Sequence, residues 1–242
     1  MLNPTDTEKS SPVTVLFFDR FNVEDPLFVA DVARRIAAAA KKDFRALIVH
    51  ASHDAVERVR EAYADHEGDP DEVNELVERA IRLTNQSITR RLIDEGVAAV
   101  SIQGCDRGLL RVGSGASIET GSTEWLERTI HLGGVPVVSL LALGDDTVVL
   151  PTDESLVIDA IVGTLAKGWS VTLVYFTTNR KSGLLGGDGA RLETIAADEL
   201  SAFEELPFPL RTGFRTGKAT TVVVTNSAGL APDGTVSGTR II

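Results

Sequence analysis

Residues 13–50 read VTVLFFDRFNVEDPLFVADVARRIAAAAKKDFRALIVH, and this stretch decides the fold class. Its two ends, Val13–Phe18 and Ala46–His50, are short runs of apolar and β-branched residues, which is typical of buried strands. Between them apolar residues recur at helical spacing. They begin after Asp25-Pro26, which suits an N-cap and a first turn, and end at Lys41-Lys42. The stretch therefore predicts a strand, a helix and a second strand.

The alternation of strands and helices continues along the rest of the chain. Further apolar runs predict strands at 97–102, 135–140, 147–150, 170–177 and 220–225. Apolar stripes at helical spacing predict helices at 55–63, 70–96, 124–132 and 155–167. Several strands are apolar throughout, which indicates a sheet covered by helices on both faces. We therefore expect an α/β fold, a three-layer α/β/α sandwich with a mainly parallel sheet.

A turn at Asp145-Asp146 is the predicted boundary between two lobes. Residues 1–12 are polar and are expected to form a flexible tail. An N-terminal lobe then spans 13–145 and a C-terminal lobe spans 146–242. A chain of 242 residues is long enough to bury a substantial core in two lobes that share a sheet.

The composition excludes several classes of protein. The chain has 24 Lys and Arg against 35 Asp and Glu, a net charge of −11, which argues against a general binder of nucleic acid or anionic membranes. Only 6 of the cations are lysines, and acidic, lysine-poor chains are also typical of proteins that work in concentrated salt. A single cysteine and scattered histidines predict neither a disulfide nor a metal site. Without a signal peptide or an apolar span, we expect a cytoplasmic protein.

The loops that follow the predicted strands contain neither the G-x-G-x-x-G nor the GxxxxGK[ST] nucleotide-binding motif. Seven other fragments occur in a distinctive order with suitable strands and helices between them. They are Val49-His50, Ile102–Leu110, Gly134–Val138, Pro151–Glu154, Phe176–Asn179, Gly183–Leu185 and Gly238–Ile241. In order and setting they resemble the amino acid kinase family over nearly the whole chain, and within it the acetylglutamate kinases most closely.

The resemblance implies an activity and a set of site residues. The activity is ATP-dependent phosphorylation of the side-chain carboxylate of a small, N-acylated acidic amino acid, with ATP and Mg as cofactors. The N-terminal lobe would bind this amino-acid derivative and the C-terminal lobe the nucleotide, and a homo-oligomer formed through the long helix is also implied. The implied catalytic residues are Asp153, Lys218 and Arg20; the substrate-binding residues are His50, Ala51, Ser52, Gly104 and Asp106; the nucleotide-binding residues are Thr177, Thr178 and Gly183.

The sequence departs from the family where phosphate would bind. Phosphoryl transfer depends on cations and backbone donors around the migrating group. The family's Lys-x-Gly-Gly loop is replaced here by Phe18–Phe21, and His-Gly-Gly-Gly is replaced by His50–His53. The family's substrate-binding arginine before the long helix has no counterpart, because the acidic stretch Glu67–Pro70 stands there. The alternative is therefore a catalytically inactive homologue that serves ligand sensing, assembly or regulation.

Several of these residues also have ordinary structural interpretations. Asp153 just before a helix is equally suited to be an N-cap. Gly104 and Asp106 suit a turn that needs positive φ. His50 at a strand end is more often a hydrogen-bonded structural residue than a catalyst, and Lys218 suits an exposed position on a glycine turn.

Overall fold

The computed structural model describes residues 12–64, 70–144, 148–177, 182–203, 206, 210 and 220–242. The strands in these residues are β1 (Pro12–Phe18), β2 (Ala46–His50), β3 (Ala99–Ile102), β4 (Leu110–Val112), β5 (Ile118–Thr120), β6 (Val135–Val138), β7 (Leu141–Leu143), β8 (Val149–Pro151), β9 (Ser170–Phe176), β10 (Thr194–Ile195), β11 (Thr220–Thr225) and β12 (Thr239–Ile241). The α-helices are α1 (Arg20–Glu24), α2 (Pro26–Ala40), α3 (His53–Ala62), α4 (Pro70–Asp94), α5 (Glu124–His131) and α6 (Glu154–Leu165).

Eight strands form the main sheet, in the order β10-β12-β11-β9-β1-β2-β6-β3. The six strands from β11 to β3 are mutually parallel, and β12 is antiparallel to β11. A second sheet has the order β5-β4-β7-β8. The parallel strands give the main sheet one edge at which all six of their carboxyl ends lie, and we call it the carboxyl edge.

Helices cover both faces of the main sheet. Along β1, Val13, Val15 and Phe17 pack on the face covered by α5 and α6, whereas Leu16 and Phe18 pack on the face covered by α2 and α4. All five side chains are fully buried, and each such burial contributes about 1.5–3 kcal/mol. The architecture is therefore a three-layer sandwich, and the predicted fold class is confirmed.

The first long helix shows how the local sequence sets the ends of an element. The Asp25 side chain accepts a hydrogen bond of 2.9 Å from the Leu27 N–H, and Pro26 occupies the first turn, where no N–H is needed. The buried residues of α2 recur at helical spacing, as predicted. They are Val29, Val32, Ala33, Ile36 and Ala39.

Two features differ from the sequence-based expectations. The segment after Phe18 forms a short helix, α1, and β7 and β10 are strands that were not predicted. The glycine-rich stretch 113–121 suits a hairpin or loop by its sequence, and it contains the turn and the second strand of the antiparallel pair β4 and β5. β7 and β10 have only three and two residues, too few to show a periodicity of their own.

The predicted division into lobes stays a prediction. Residues 1–11 and the boundary turn at 145–147 lie outside the described residues. The main sheet draws strands from both sides of that turn, and β7 pairs with β8 across it. None of the described helices is long and apolar enough to cross a membrane.

Candidate ligand site at the carboxyl edge of the sheet

The carboxyl edge of the main sheet is the candidate site because of the position of β1. β1 pairs with β2 on one side and with β9 on the other, so the earlier strands of the chain extend the sheet in one direction from β1 and the later strands extend it in the opposite direction. Open α/β sheets bind ligands beyond the carboxyl ends of strands at such a reversal. The residues that follow β1, β2 and β9 are therefore the first ones to consider.

Asp19 directly follows β1 and is buried. Its carboxylate accepts a hydrogen bond of 2.9 Å from the Asn22 N–H, and the Asp19 N–H donates to the Asn22 side-chain oxygen at 3.3 Å. Burial raises the pKa of the Asp19 carboxyl, and the hydrogen bonds from the Asn22 and Phe21 N–H groups oppose this shift. A buried carboxylate thus binds the amino end of α1, where the family resemblance expects a phosphate-binding loop.

Glu154, the first residue of α6, interacts with Asp19 across the carboxyl edge. The pKa of Glu154 is raised from 4.5 to about 7, mainly by burial and also by the carboxylates of Asp19, Asp153 and Asp54. The Arg20 guanidinium acts in the opposite direction. We call these five residues, Asp19, Arg20, Asp54, Asp153 and Glu154, the acidic cluster.

Two of the three predicted catalytic residues belong to this cluster. Asp153 is the N-cap of α6, and its exposed carboxylate accepts hydrogen bonds from the Ser155 N–H at 2.9 Å and the Leu156 N–H at 3.3 Å. Arg20 is exposed, and its guanidinium lies 4.6 Å from the centre of the Phe21 ring. Lys218 lies outside the described residues. The structure thus gives Asp153 the capping role, and its catalytic role stays a prediction.

The three predicted substrate-binding residues after β2 are all buried. The His50 ring is fully buried, and its Nδ1 lies 2.9 Å from the Ala51 carbonyl oxygen. The Ala51 N–H donates to the Phe18 carbonyl oxygen at 2.8 Å, which extends the pairing of β1 and β2 by one bond. Ser52 is the N-cap of α3 without a side-chain capping bond. The His50 side chain therefore has a structural position, and contact of these three residues with a substrate stays a prediction.

Gly104 and Asp106 follow β3, away from the acidic cluster. β2 and β6 separate β3 from β1, a distance of about 14 Å at the usual strand spacing. The Asp106 carboxylate accepts a hydrogen bond of 2.8 Å from the Gln103 N–H, and Gly108 has φ +66°. A Cβ on Gly104 would overlap the Leu141 carbonyl oxygen. These contacts match the turn interpretation, and contact with a substrate stays a prediction.

The predicted nucleotide-binding residues follow β9. Thr177 is buried, and its N–H donates to the Thr225 carbonyl oxygen at 2.6 Å. Thr178 lies outside the described residues. Gly183 has φ +103°, and a Cβ there would lie 2.7 Å from the Thr239 Oγ1. Gly183 is therefore needed for the close approach of its loop to β12, and nucleotide contacts of this loop stay a prediction.

Sequence reasoning missed Asp19 and Glu154 as members of one site. The position of each residue in the sequence is a signal that could have found it. Asp19 directly follows an apolar strand, and Glu154 follows the predicted N-cap residue Asp153. Asp19 after β1 and Glu154 in α6 lie close together only because of the order of strands in the sheet, which the sequence pattern does not predict. Across the described ranges, no group of three or more His, Cys, Asp or Glu residues is arranged to hold a metal ion.

Comparisons with solved structures identify the fold. The chain is similar to an isopentenyl phosphate kinase, with a TM-score of 0.62 and 18% identity over 95% of this chain and 100% of that one. It is similar to N-acetylglutamate synthase from Neisseria gonorrhoeae, with a TM-score of 0.67 and 16% identity over 98% of this chain and 60% of that one. It is also similar to aspartate kinase from Synechocystis, with a TM-score of 0.63 and 17% identity over 95% of this chain and 40% of that one.

These similarities show that the chain has an amino-acid-kinase-like fold. At 16–18% identity they show the fold alone. No protein-family model and no curated protein sequence matches the chain. The activity must therefore be argued from the residues at the carboxyl edge.

The Gly104→Ala variant tests the structural role of that glycine. Because the new methyl group would overlap backbone of β7, we expect the substitution to lower the free energy of unfolding by about 2–3 kcal/mol. Gly163→Ala is the matched control, since Gly163 is an exposed residue in α6 with nothing within 4 Å of an added Cβ. The control should gain up to about 1 kcal/mol from helix propensity. Equal stabilities of the two variants in urea denaturation would contradict this.

The pH dependence of stability tests the burial of Glu154. Its pKa is raised from 4.5 to about 7, so the folded state binds more protons than the unfolded state between these values. The contribution of Glu154 to the free energy of unfolding should therefore fall as the pH rises from about 4.5 to about 7. Glu154→Gln should remove this slope and stabilise the protein at pH 8 by about 1–2 kcal/mol, less than the full shift implies because the group is partly solvated.

The matched control for this titration is Glu124→Gln. Glu124 is also the first residue of a helix, α5, but is exposed. Its substitution should leave the pH dependence of the wild-type protein unchanged. A Glu154→Gln variant that keeps the wild-type slope between pH 4.5 and 7 would show that another group is responsible.

Proposed function

We propose that this chain is a non-catalytic homologue of kinases that share its fold, serving ligand sensing, assembly or regulation. The observation that carries the proposal is the position of the Asp19 carboxylate. It is buried at the carboxyl end of β1 and accepts the hydrogen bond of the Asn22 N–H. A side chain of the protein itself thus uses the backbone donor at the position where the family resemblance expects donors for phosphate.

The charges of the acidic cluster also oppose phosphoryl transfer. Negative charge on the transferred group and on the nucleotide needs nearby cations. Here Asp19, Asp153 and Glu154 stand together with Arg20. At an effective dielectric constant near 20, two like charges 5 Å apart repel by about 3 kcal/mol. The described residues at this edge therefore do not fit a triphosphate.

Two helix amino ends at the carboxyl edge are occupied by carboxylates of the chain. The amino end of a helix attracts anions because its first N–H groups have no partner within the helix. Asp19 binds that end of α1, and Asp153 binds that end of α6. Neither end offers its capped N–H groups to a phosphate. A ligand that carries a positive charge, such as the free amino group of an amino-acid derivative, suits this edge better.

The second candidate is the kinase activity that the sequence resemblance implies. It is phosphorylation of the side-chain carboxylate of a small N-acylated acidic amino acid, with ATP and Mg. What favours it is that Asp153 and Arg20, both implied catalytic residues, act on the same group, the Glu154 carboxyl, and so share one edge of the sheet. A homo-oligomer formed through α4 remains a prediction under either candidate.

Titration with Mg-ATP separates the two candidates. A ligand present at 100 times its dissociation constant stabilises a folded protein by about 2.7 kcal/mol, which raises the Tm of a chain of this size by several degrees. The non-catalytic proposal predicts no change in Tm at millimolar Mg-ATP, measured by thermal shift and checked by calorimetry. Saturable binding would contradict the conclusion that this edge does not fit a triphosphate, and phosphorylation of acetylglutamate that Asp153→Ala abolishes would establish the kinase candidate instead.

Neutralising two carboxylates of the acidic cluster tests whether their negative charge is what prevents phosphate from binding at this edge. The double variant Asp19→Asn, Glu154→Gln keeps similar shapes, and asparagine is also a good N-cap. We expect it to bind tripolyphosphate at least about tenfold more tightly than the wild-type protein, because removing one close repulsion contributes more than 1.4 kcal/mol. Asp233→Asn, at a fully exposed aspartate in the turn before β12, is the control. Equal affinities of the double variant and the wild type would rule out this cause.

A further inference from the structure

The polar side chains of His50, Asn85 and Ser101 form a hydrogen-bonded network between α4 and the main sheet, and His50 and Asn85 are fully buried. The Asn85 Nδ2 lies 3.1 Å from the His50 Nε2 and 2.8 Å from the Val137 carbonyl oxygen. It also lies 3.3 Å from the Ile102 carbonyl oxygen, and the Ser101 hydroxyl donates to the Asn85 Oδ1. One amide thus connects α4 with β2, β3 and β6.

The network determines where the His50 ring carries its proton. Carbonyl oxygens only accept hydrogen bonds, so the amide nitrogen of Asn85 must face Val137 and Ile102. That nitrogen carries two hydrogens, which its three acceptors must share, and it only donates. The His50 Nε2 beside it faces a donor and therefore carries no proton. The His50 Nδ1 lies 2.9 Å from the Ala51 carbonyl oxygen and therefore donates. The hydrogen bonds require a neutral ring with its proton on Nδ1.

We propose that protonation of His50 releases α4 from the main sheet, so that this network is an acid-sensitive switch. A second proton on Nε2 would point at the N–H groups of Asn85. Rotating the amide would bring its oxygen to His50 but would also set it against the carbonyl oxygens of Val137 and Ile102. Because the ring has no exposed surface, a charged His50 gains a hydrogen-bond acceptor or water only when α4 moves.

The elements packed against His50 offer no counter-ion for a charged ring. β3 and β6 contain no charged residue. On α4, Glu78 and Arg82 pair with each other at 2.7 Å and lie beside Cys105. His53 and Asp54 in the next segment contribute nothing to the His50 pKa, which depends on burial and on the Ala51 carbonyl. A charged His50 would therefore be unpaired in the described structure.

The pKa of His50 is shifted in the direction that the geometry of the network requires. Burial lowers its pKa from 6.5 to about 4, and the hydrogen bond to the Ala51 carbonyl acts weakly in the opposite direction. The closed network is thus favoured fully above pH 6.5, and this advantage is lost as the pH falls towards 4. Opening of the network would also displace Ala51 and Ser52, which connect β2 to α3 at the carboxyl edge.

Hydrogen exchange of the wild-type protein tests the release of α4. Between pH 7 and pH 5 the opening of α4 should become at least about tenfold more favourable, after correction for intrinsic exchange rates, because an open state takes up one proton. The amides of α2, which lies on the same face of the sheet, should change less. Equal loss of protection in α2 and α4 would show general unfolding and overturn the proposal.

Substitutions separate His50 from the other histidines. His50→Gln keeps an amide oxygen that can accept from Asn85 and does not titrate, so the extra opening of α4 at pH 5 should disappear. His53→Gln is the control, since His53 is exposed and pairs with Glu57. It should behave like the wild type. A His50→Gln variant that folds and still opens α4 selectively at pH 5 would overturn the proposal.

If His50→Gln does not fold, nitrogen NMR of the His50 ring in the wild-type protein provides an independent test. The expected spectrum shows a neutral ring protonated on Nδ1 from pH 8 to 5. A proton on Nε2 would contradict the assignment of the network. A ring that becomes charged while the amide signals of α4 stay in their native positions would show that protonation does not move the helix.

Discussion

The pairing of β1 with β2 on one side and β9 on the other is the constraint on which the rest of the structure depends. From Val13 to Phe18 the strand is buried on both faces, so alternate side chains enter the two hydrophobic cores. Parallel pairing on both sides brings the carboxyl ends of the neighbouring strands to one edge. The helices α2 and α6 can then cover opposite faces, and the segment after Phe18 must lie at the reversal of the sheet.

The position of β1 explains why Asp19 has a large effect on the charge and the free N–H donors of the candidate site. The chain leaves β1 directly into Asp19, which has little room to turn towards solvent and instead caps α1. α6 begins nearby with Asp153 and Glu154, so carboxylates from different parts of the chain meet at the position where the fold binds ligands. The edge consequently carries negative charge, and its own caps occupy donors that an anion would use.

Two titratable groups near this edge, the fully buried His50 and the partly buried Glu154, make the stability of the fold depend on pH in opposite directions. His50 is held neutral by burial and by its hydrogen bonds, so acid disfavours the folded state. Burial and neighbouring carboxylates raise the pKa of Glu154, so base disfavours the folded state. Both effects arise because β2 and α6 deliver ionisable groups into sites with little water. Within the described residues, the carboxyl edge thus holds two groups through which stability depends on pH.

The sequence by itself determined the fold class and most of the elements. Val13–Phe18 and Ala46–His50 are strands, and Asp25-Pro26 begins a helix, because these signals are local: apolar runs, periodicity and capping chemistry act within a few residues. The N-cap role of Asp153 follows from the same local chemistry. The missing lysine and glycines in the segment after β1 were also evident from the sequence alone.

Only the tertiary structure decided which of these residues meet. Asp19 and Glu154 are far apart in the chain and become neighbours through the order of strands in the sheet, which leaves no periodic signal in the sequence. Gly104 was grouped with Asp153 by resemblance, yet β2 and β6 stand between its strand and β1. The Asn85 amide likewise lies in an ordinary helical stripe until α4 packs against three strand ends. Contacts of this kind depend on long-range packing, and packing is what the sequence pattern does not record.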